Sequence, residues 1–388
     1  MFVYYLLTFI VLIEVGTKYF HFNKSKIIFK STYFILSLFA ILKSWCVGGD
    51  VIQYNKIYID IFNGLNLSEA TNNYSLEPLY YLSNYLFTKI TNNFNYFMLT
   101  INLFNTFCVY RFLIKFKLEK YLTTLPIYLI FIYFTQNYFY VRQGIALSII
   151  ALGFTFFNSR KFVSITILAC APLIHSPAIL VYLCFLKFER IIKTKISFII
   201  MTIILIPCYL YSETIMITIL KNLHLPTKDY IGYINLKMYP PRSFLIEISI
   251  AMFCIFSYYL YFNNAIKSKS SYQQQIDLIL VRGLLLFGLV PMAFTFNADL
   301  ARRSQFYFIL SLFIIGKIFT LLKNNNTKYF YIILSAAFII SGFIVRFSNE
   351  TWVALMDPYI FMYSCDSLCN ELESERRLLL ANIFNILN

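Results

Sequence analysis

The chain has 388 residues, 59% of them hydrophobic and only 13% charged, with a formal net charge of +15 and a mean hydropathy of +0.67. A soluble domain carries about 25% charged residues, so this composition excludes a soluble fold. The Lys and Arg residues fall in short clusters between long apolar runs, which excludes a nucleic-acid-binding face and marks a membrane orientation instead.

The chain reads as an all-α polytopic membrane protein, a single integral membrane domain over 1–388. A helix crossing the hydrocarbon core needs about 20 apolar residues. Runs of that kind occur at 1–20, 31–47, 95–114, 121–139, 143–157, 162–186, 196–212, 244–262, 278–297, 304–322 and 328–346, which predicts about ten or eleven transmembrane helices. The runs are too long for the strands of a membrane barrel, which are ~10 residues of alternating pattern. The first run, uncharged at its start and without a small-residue cleavage site, is expected to be a retained span.

Three polar stretches separate these runs: 48–93, 213–243 and the tail 347–388. Orientation follows from the basic residues near span ends. Lys18, Lys24, Lys26 and Lys30 put the first connection inside and the loop 48–93 outside. Arg111, Lys115, Lys117 and Lys120 are then inside, the turn at 138–142 outside, and Arg160 and Lys161 inside.

The run 162–186 has basic residues on both flanks and carries Pro172 and Pro177. Two prolines remove two backbone donors and interrupt a helix. A broken or re-entrant segment satisfies both flanks, and broken helix is tolerated at membrane depth where it lines a cavity. If the segment is re-entrant, 213–243 and the tail lie outside as a second large loop and a terminal extension. If it crosses, everything after it inverts.

Of the eight cysteines, Cys46, Cys108, Cys170, Cys184, Cys208 and Cys254 lie in or beside apolar runs and are expected to act as small hydrophobes. Cys365 and Cys369 are a close pair in the polar tail and are expected to be unpaired thiols, with a disulfide as the alternative in an oxidising compartment. The three histidines are scattered, with no metal-binding spacing and no phosphate-binding loop, so no metal or cofactor is called for.

Ionisable groups in spans are costly and are functional candidates. Arg142 opens a span at the expected outer face, with Gln143 beside it; the plain alternative is an arginine snorkelling at a helix end. His175 lies 14 residues beyond Lys161, ~21 Å at a helical rise of about 1.5 Å per residue, between the two prolines. It is either a satisfied core histidine or one that faces an outward cavity. Asp299, Arg302 and Arg303 crowd a short turn, while Asp50 and Glu77 are carboxylates of the first outer loop.

These pieces resemble the EpsG family and, more broadly, the Wzy-type polymerases of O-antigen and capsule. The matching stretches are GGDVIQYNKIY, EPLYYLSNYL, VRQGIALSIIALGF, LIHSPAIL, ARRSQFYF and PYIF, in order over 48–361. Arg142 with Gly153 resembles the arginine–glycine motif of Wzy loops, of which this chain has one copy. The resemblance implies a metal-independent glycosyltransferase of the bacterial cytoplasmic membrane, its site facing the periplasm or exterior. Its substrates would be oligosaccharide repeat units linked to undecaprenyl pyrophosphate. A chain-length regulator and a flippase are partners that the resemblance allows for.

The residues suit that chemistry. Arginine meets phosphate oxygens through paired donors, which fits Arg142 with Arg302 and Arg303 to a diphosphate leaving group. His175 is the best-placed proton acceptor for a sugar hydroxyl, with Asp50 or Glu77 as alternatives. Asp299, Tyr54, Gln143, Arg242 and Tyr239 join the expected substrate-binding set, and the many aromatic rings suit sugar faces. Two other functions compete: a lipid-linked oligosaccharide flippase or exporter, whose polar groups are expected along a midplane path, and a membrane sugar O-acyltransferase.

Overall fold

The structure, a computed structural model, describes residues 2–19, 25–43, 51–187, 241–265, 272–293 and 304–347, together with residues 203, 211, 214 and 218. Every element among the described residues is helical. The chain divides into two compact units, Met1–Ser176 with Ile339–Asn388, and Pro177–Phe338.

In the first unit, α1 (Phe2–Tyr19) and α2 (Ser25–Ile41) occupy the first two apolar runs. The polar loop at 48–93 contains three short helices: α3 (Val51–Phe62), α4 (Leu67–Tyr74) and α5 (Pro78–Thr88). Each has a local cause. α3 buries Val51, Tyr54, Ile57, Tyr58 and Ile61, which recur every three or four residues and so share one helical face. α4 begins with a reciprocal capping box, Asn66 Oδ1 accepting from the Glu69 N–H and the Glu69 carboxylate accepting from the Asn66 N–H. It ends at Ser75, whose left-handed φ of 50° turns its N–H onto the Thr71 carbonyl. α5 starts with Pro78 at its first position, where the missing N–H costs nothing.

Helix α6 (Phe94–Lys115) is capped by Asn93 and is long and apolar enough to cross a membrane. The next run opens as α7 (Thr124–Ile127) and continues as two π-helical stretches, Tyr128–Tyr133 and Thr135–Phe139. The wider turns are braced by tyrosines. Tyr133 Oη donates to the Leu36 carbonyl at 2.8 Å, and Tyr138 Oη donates to the Phe39 carbonyl at 3.4 Å. After a break at Tyr140, α8 (Val141–Phe156) follows.

α8 packs closely on α9 (Lys161–Ile174) because Gly153 has no side chain. A Cβ there would meet Leu168 Cδ2 at 2.7 Å, and the Gly153 carbonyl accepts from Ser164 Oγ at 2.8 Å. Close approach through small residues and hydroxyl groups is the usual way membrane helices associate. α9 contains Pro172 in its last turns and stops at His175, whose backbone is extended (φ −152°, ψ 111°). A 3₁₀-helix, Ser176–Phe185, takes over. The expected interruption of 162–186 therefore exists, and it falls at His175–Ser176, before the second proline, not at Pro172.

The second unit holds α10 (Pro241–Ala265), α11 (Tyr272–Ala293), a 3₁₀ stretch (Ile309–Phe313), α12 (Ile314–Leu321) and the first part of α13 (Asn325–Phe347). Residues 275–292 of α11 also meet the length and hydropathy of a crossing helix. Gly288 lets α11 approach α10, since a Cβ would lie 2.7 Å from Cys254 Cβ. The start of α13 is held to α10 by rings, Phe253 against Phe338 at 4.9 Å, and by Tyr331 Oη donating to Ser257 Oγ at 3.2 Å. Cys108, Cys170, Cys184 and Cys254 are free thiols; Cys46, Cys208, Cys365 and Cys369 lie outside the described residues, as does the tail beyond residue 347.

Candidate active site

Four of the residues that the sequence singles out, Tyr54, Glu77, Arg142 and Gln143, lie at or against the first turn of α8. Arg142 Nε donates to Tyr54 Oη at 2.8 Å, and the guanidinium carbon lies 5.6 Å from the centre of the same ring. Arg142 Nη1 donates to the Ser75 carbonyl at 2.9 Å and to Glu77 Oε2 at 2.7 Å. These contacts use Nε and Nη1 and leave Nη2 over. The Arg142 side chain is 17% exposed and that of Glu77 14%, so the pair is sheltered but reachable.

Glu77 has a second engagement. Its Oε1 accepts from the Ser176 backbone N–H at 2.9 Å. That N–H is the first after His175, which is itself buried and whose own N–H donates to the Ala171 carbonyl at 3.0 Å. One carboxylate therefore links the guanidinium on α8 to the break that ends α9. The sequence suggests a His175 that faces an outward cavity near Arg142; the structure joins Arg142, Tyr54 and Glu77 directly and ties Glu77 to the peptide that follows His175.

Local structure explains the convergence. The left-handed turn at Ser75 points its carbonyl at Arg142, and Glu77, at the N-cap of α5 with φ −75° and ψ 148°, presents its side chain there too. A non-glycine residue at positive φ is uncommon and costs energy; here the carbonyl it exposes is an Arg142 partner. Tyr54 is held edge-on by Tyr80, ring centres 5.5 Å apart.

Beneath the first turn of α8 lies a buried polar cluster. Gln136 Nε2 donates to Ser148 Oγ at 2.6 Å, and Ser148 Oγ lies 2.6 Å from Asn105 Oδ1 and 2.7 Å from the Gly144 carbonyl, either of which can take its proton. Gly144 is required there: a Cβ would come to 2.3 Å from the Gln136 carbonyl oxygen. π-Helical turns are frequent at functional sites, and here one delivers Gln136 to this cluster. Gln143 is buried, and its Oε1 has no hydrogen-bond partner among the described residues.

The rest of the expected set is not among the side chains described. Asp50, Tyr239, Asp299, Arg302 and Arg303 lie outside the described residues, and of Arg242 only the backbone, in the first turn of α10, is described. Among the described residues no three His, Cys, Asp or Glu side chains gather where they could hold a metal ion.

Several charges are buried and paired in a way the sequence reading missed, among them Lys18, which served there only as an orientation mark. Glu14 and Lys18 pair at 2.5 Å within α1, and Lys18 Nζ also donates to the Tyr121 carbonyl at 3.1 Å. In the second unit Asp277 of α11 pairs with Lys317 of α12, and Arg282 is buried one and a half turns further along α11. The Glu14–Lys18 spacing, one helical turn, was a readable signal; the Asp277–Lys317 pair joins separate runs and had none.

The EpsG family model matches residues 26–361, most of the chain. EpsG-type proteins are Wzy-like polymerases. No curated protein and no solved structure matches the chain. Matched over nearly its whole length and built of apolar helices, this membrane protein belongs to the EpsG family.

Proposed function

We propose that the protein is a polysaccharide polymerase that joins oligosaccharide repeat units carried on undecaprenyl pyrophosphate, at the outer face of the cytoplasmic membrane. The single observation that carries this reading is the setting of Arg142. Three partners from residues 54–77 orient its guanidinium while Nη2 is left for a ligand, beside a histidine at a helix break.

In this reading Arg142 Nη2 binds the diphosphate that links the growing chain to its lipid. A hydroxyl at the non-reducing end of the incoming unit attacks the anomeric carbon of the growing chain. The new glycosidic C–O bond forms as the bond to the diphosphate oxygen breaks. The hydroxyl proton goes to the His175 imidazole, which suits proton uptake near neutral pH. Undecaprenyl pyrophosphate leaves with the bonding electron pair, its developing charge met by the guanidinium. In the same reading Gln143, whose Oε1 is without a partner among the described residues, meets sugar hydroxyls, and Arg302, Arg303, Asp299, Arg242 and Tyr239 are candidates for the same substrate. The products belong to O-antigen, capsule or exopolysaccharide.

A flippase for the same lipid-linked unit is the second reading. The buried Asp277–Lys317 pair and Arg282 favour it, because transport paths carry charge inside the bundle. Gel analysis of surface glycans from cells carrying Arg142→Ala or His175→Ala separates the two. A polymerase defect leaves single units on the acceptor and removes the ladder of longer chains. A flippase defect removes single units from the surface and accumulates them inside. Full ladders from both variants would refute the assignment of these residues. The outward placement of 213–243 is tested by Tyr233→Cys: labelling by a membrane-impermeant maleimide in intact cells supports it, and protection opposes it.

A further inference from the structure

Glu77 is one of three residues offered above as the proton acceptor, yet its geometry suits another task. Both of its carboxylate oxygens already face donors: Oε2 receives the Arg142 Nη1 proton at 2.7 Å, and Oε1 receives the Ser176 N–H at 2.9 Å. A proton taken from a sugar hydroxyl by either oxygen would neutralise the carboxylate that faces the Arg142 guanidinium and weaken both contacts. His175, by contrast, stands next to the anchored peptide and is not the group that anchors it.

The carboxylate is also held on its own side. Pro78 fixes the start of α5, and Ser75, two residues earlier, brings its carbonyl to the same Arg142 nitrogen. α5 packs against α9 in the same unit, so the contact to Ser176 bridges two helices already in register. α9 in turn lies against α8 at Gly153. Arg142 and the break after His175 are thus tied at both ends, by the packed helices and by one carboxylate.

We infer that Glu77 is a positioning residue: its carboxylate sets the Arg142 guanidinium and the His175–Ser176 turn at a fixed separation, so that the diphosphate subsite and the proton acceptor form together. The inference rests on the polymerase reading of Arg142 and His175. Catalysis that depends on two groups meeting one reacting centre is sensitive to their spacing, and a misplacement of about 1 Å is worth ~10²-fold in rate.

The substitutions separate the roles. Glu77→Gln keeps the size but offers a single acceptor oxygen, so one of the two links is lost. Glu77→Asp keeps two acceptors on a shorter arm. Glu77→Ala removes both links. The assay uses the full chain in proteoliposomes, with undecaprenyl-diphosphate-linked repeat units isolated from cells that make them. Extension is followed against substrate concentration and pH, with His175→Ala as the reference for a missing proton acceptor.

Positioning predicts that Glu77→Gln and Glu77→Asp extend chains with a raised KM, retain part of kcat, and keep the acid limb of the wild-type pH profile. Glu77→Ala loses about 10²-fold, and where it fails to fold, the Gln and Asp variants carry the test. A Glu77→Gln protein whose residual extension shows an unchanged KM, a kcat as low as that of His175→Ala and no acid limb would make Glu77 the proton acceptor and overturn the inference. Wild-type rates from all three variants would overturn it as well. Wild-type protein that joins no units would bring down the polymerase reading and the inference with it, and is told apart from the other outcomes because it needs no variant.

Discussion

Arg142 and Glu77 meet at 2.7 Å although 65 residues separate them in the chain. One belongs to the first turn of α8, the other to the N-cap of a short helix inside a loop. Breaking a sheltered pair by removing one partner costs more than the pair contributes, because the other charge is left without compensation. The contact therefore makes the conformation of the loop and the setting of the α8 guanidinium depend on each other.

Tyr54 tests how finely that guanidinium must be held. Tyr54→Phe keeps the ring beside the guanidinium and removes only the oxygen that accepts from Nε. The lost hydrogen bond to a charged group is worth about 1.5–3 kcal/mol. Chain extension by this variant is expected to fall at least several-fold, with the melting temperature in detergent lowered by no more than a few degrees. Wild-type extension would mean that the contact is not used.

Gly144 is expected to tolerate no side chain. Ala at this position drives a methyl group to 2.3 Å from the Gln136 carbonyl oxygen, and backbone, unlike the tip of a side chain, cannot swing aside. Overpacking of this kind costs about 1–3 kcal/mol. Gly144→Ala is expected to lower the melting temperature of the purified protein and to weaken extension, since the displaced segment leads straight into Arg142. An unchanged melting temperature would contradict the packing described.

The helical class of the fold was legible in the sequence because apolar runs announce themselves by length, and two of the described helices, Phe94–Lys115 and residues 275–292 of α11, are long and apolar enough to cross a membrane. The runs at 1–20, 95–114, 143–157 and 328–346 appear as α1, α6, α8 and α13 within a few residues. The helices at 51–88 were not legible, because they are short and half-buried, and their signals are local: a capping box at Asn66 and a proline after Glu77. The π-helical turns of 128–139 were also hidden, since an apolar run has the same composition at either pitch. Of the site, Arg142 and His175 stood out by being charged or broken where helices are greasy and continuous. Their link through Glu77 could not be read, because it joins 77, 142 and 176, positions that only the folded chain brings together.

At Gly153 the obstruction is a side chain, which makes a rescue possible. A Cβ meets Leu168 Cδ2 and Cγ at 2.7 Å. Gly153→Ala is expected to destabilise by separating α9 from α8, and Leu168→Ala on the same chain to recover part of the loss by making room. A double-mutant cycle on melting temperature gives the coupling directly; strict additivity would mean that the two residues do not press on each other.

The Asp277–Lys317 pair in the second unit gives a prediction independent of the site. Removing Asp277 leaves a lysine facing buried surface without its partner, at a cost of about 3 kcal/mol. Asp277→Leu is expected to lower stability, and Asp277→Leu with Lys317→Met to restore most of it, because paired charges can be replaced by apolar groups of similar volume. If the double variant is no better than the single one, the pair is serving more than packing, and a charge path of the flippase kind gains support.

The central claim is that the Arg142 guanidinium meets the departing diphosphate. Its most direct test is the initial rate at which purified protein in proteoliposomes joins undecaprenyl-diphosphate-linked units, compared for wild type, Arg142→Lys and Arg142→Ala. The account predicts that Arg142→Ala loses at least ~10²-fold, and that Arg142→Lys, a cation without the planar fork, falls between. An Arg142→Ala protein that joins units at the wild-type rate would contradict it.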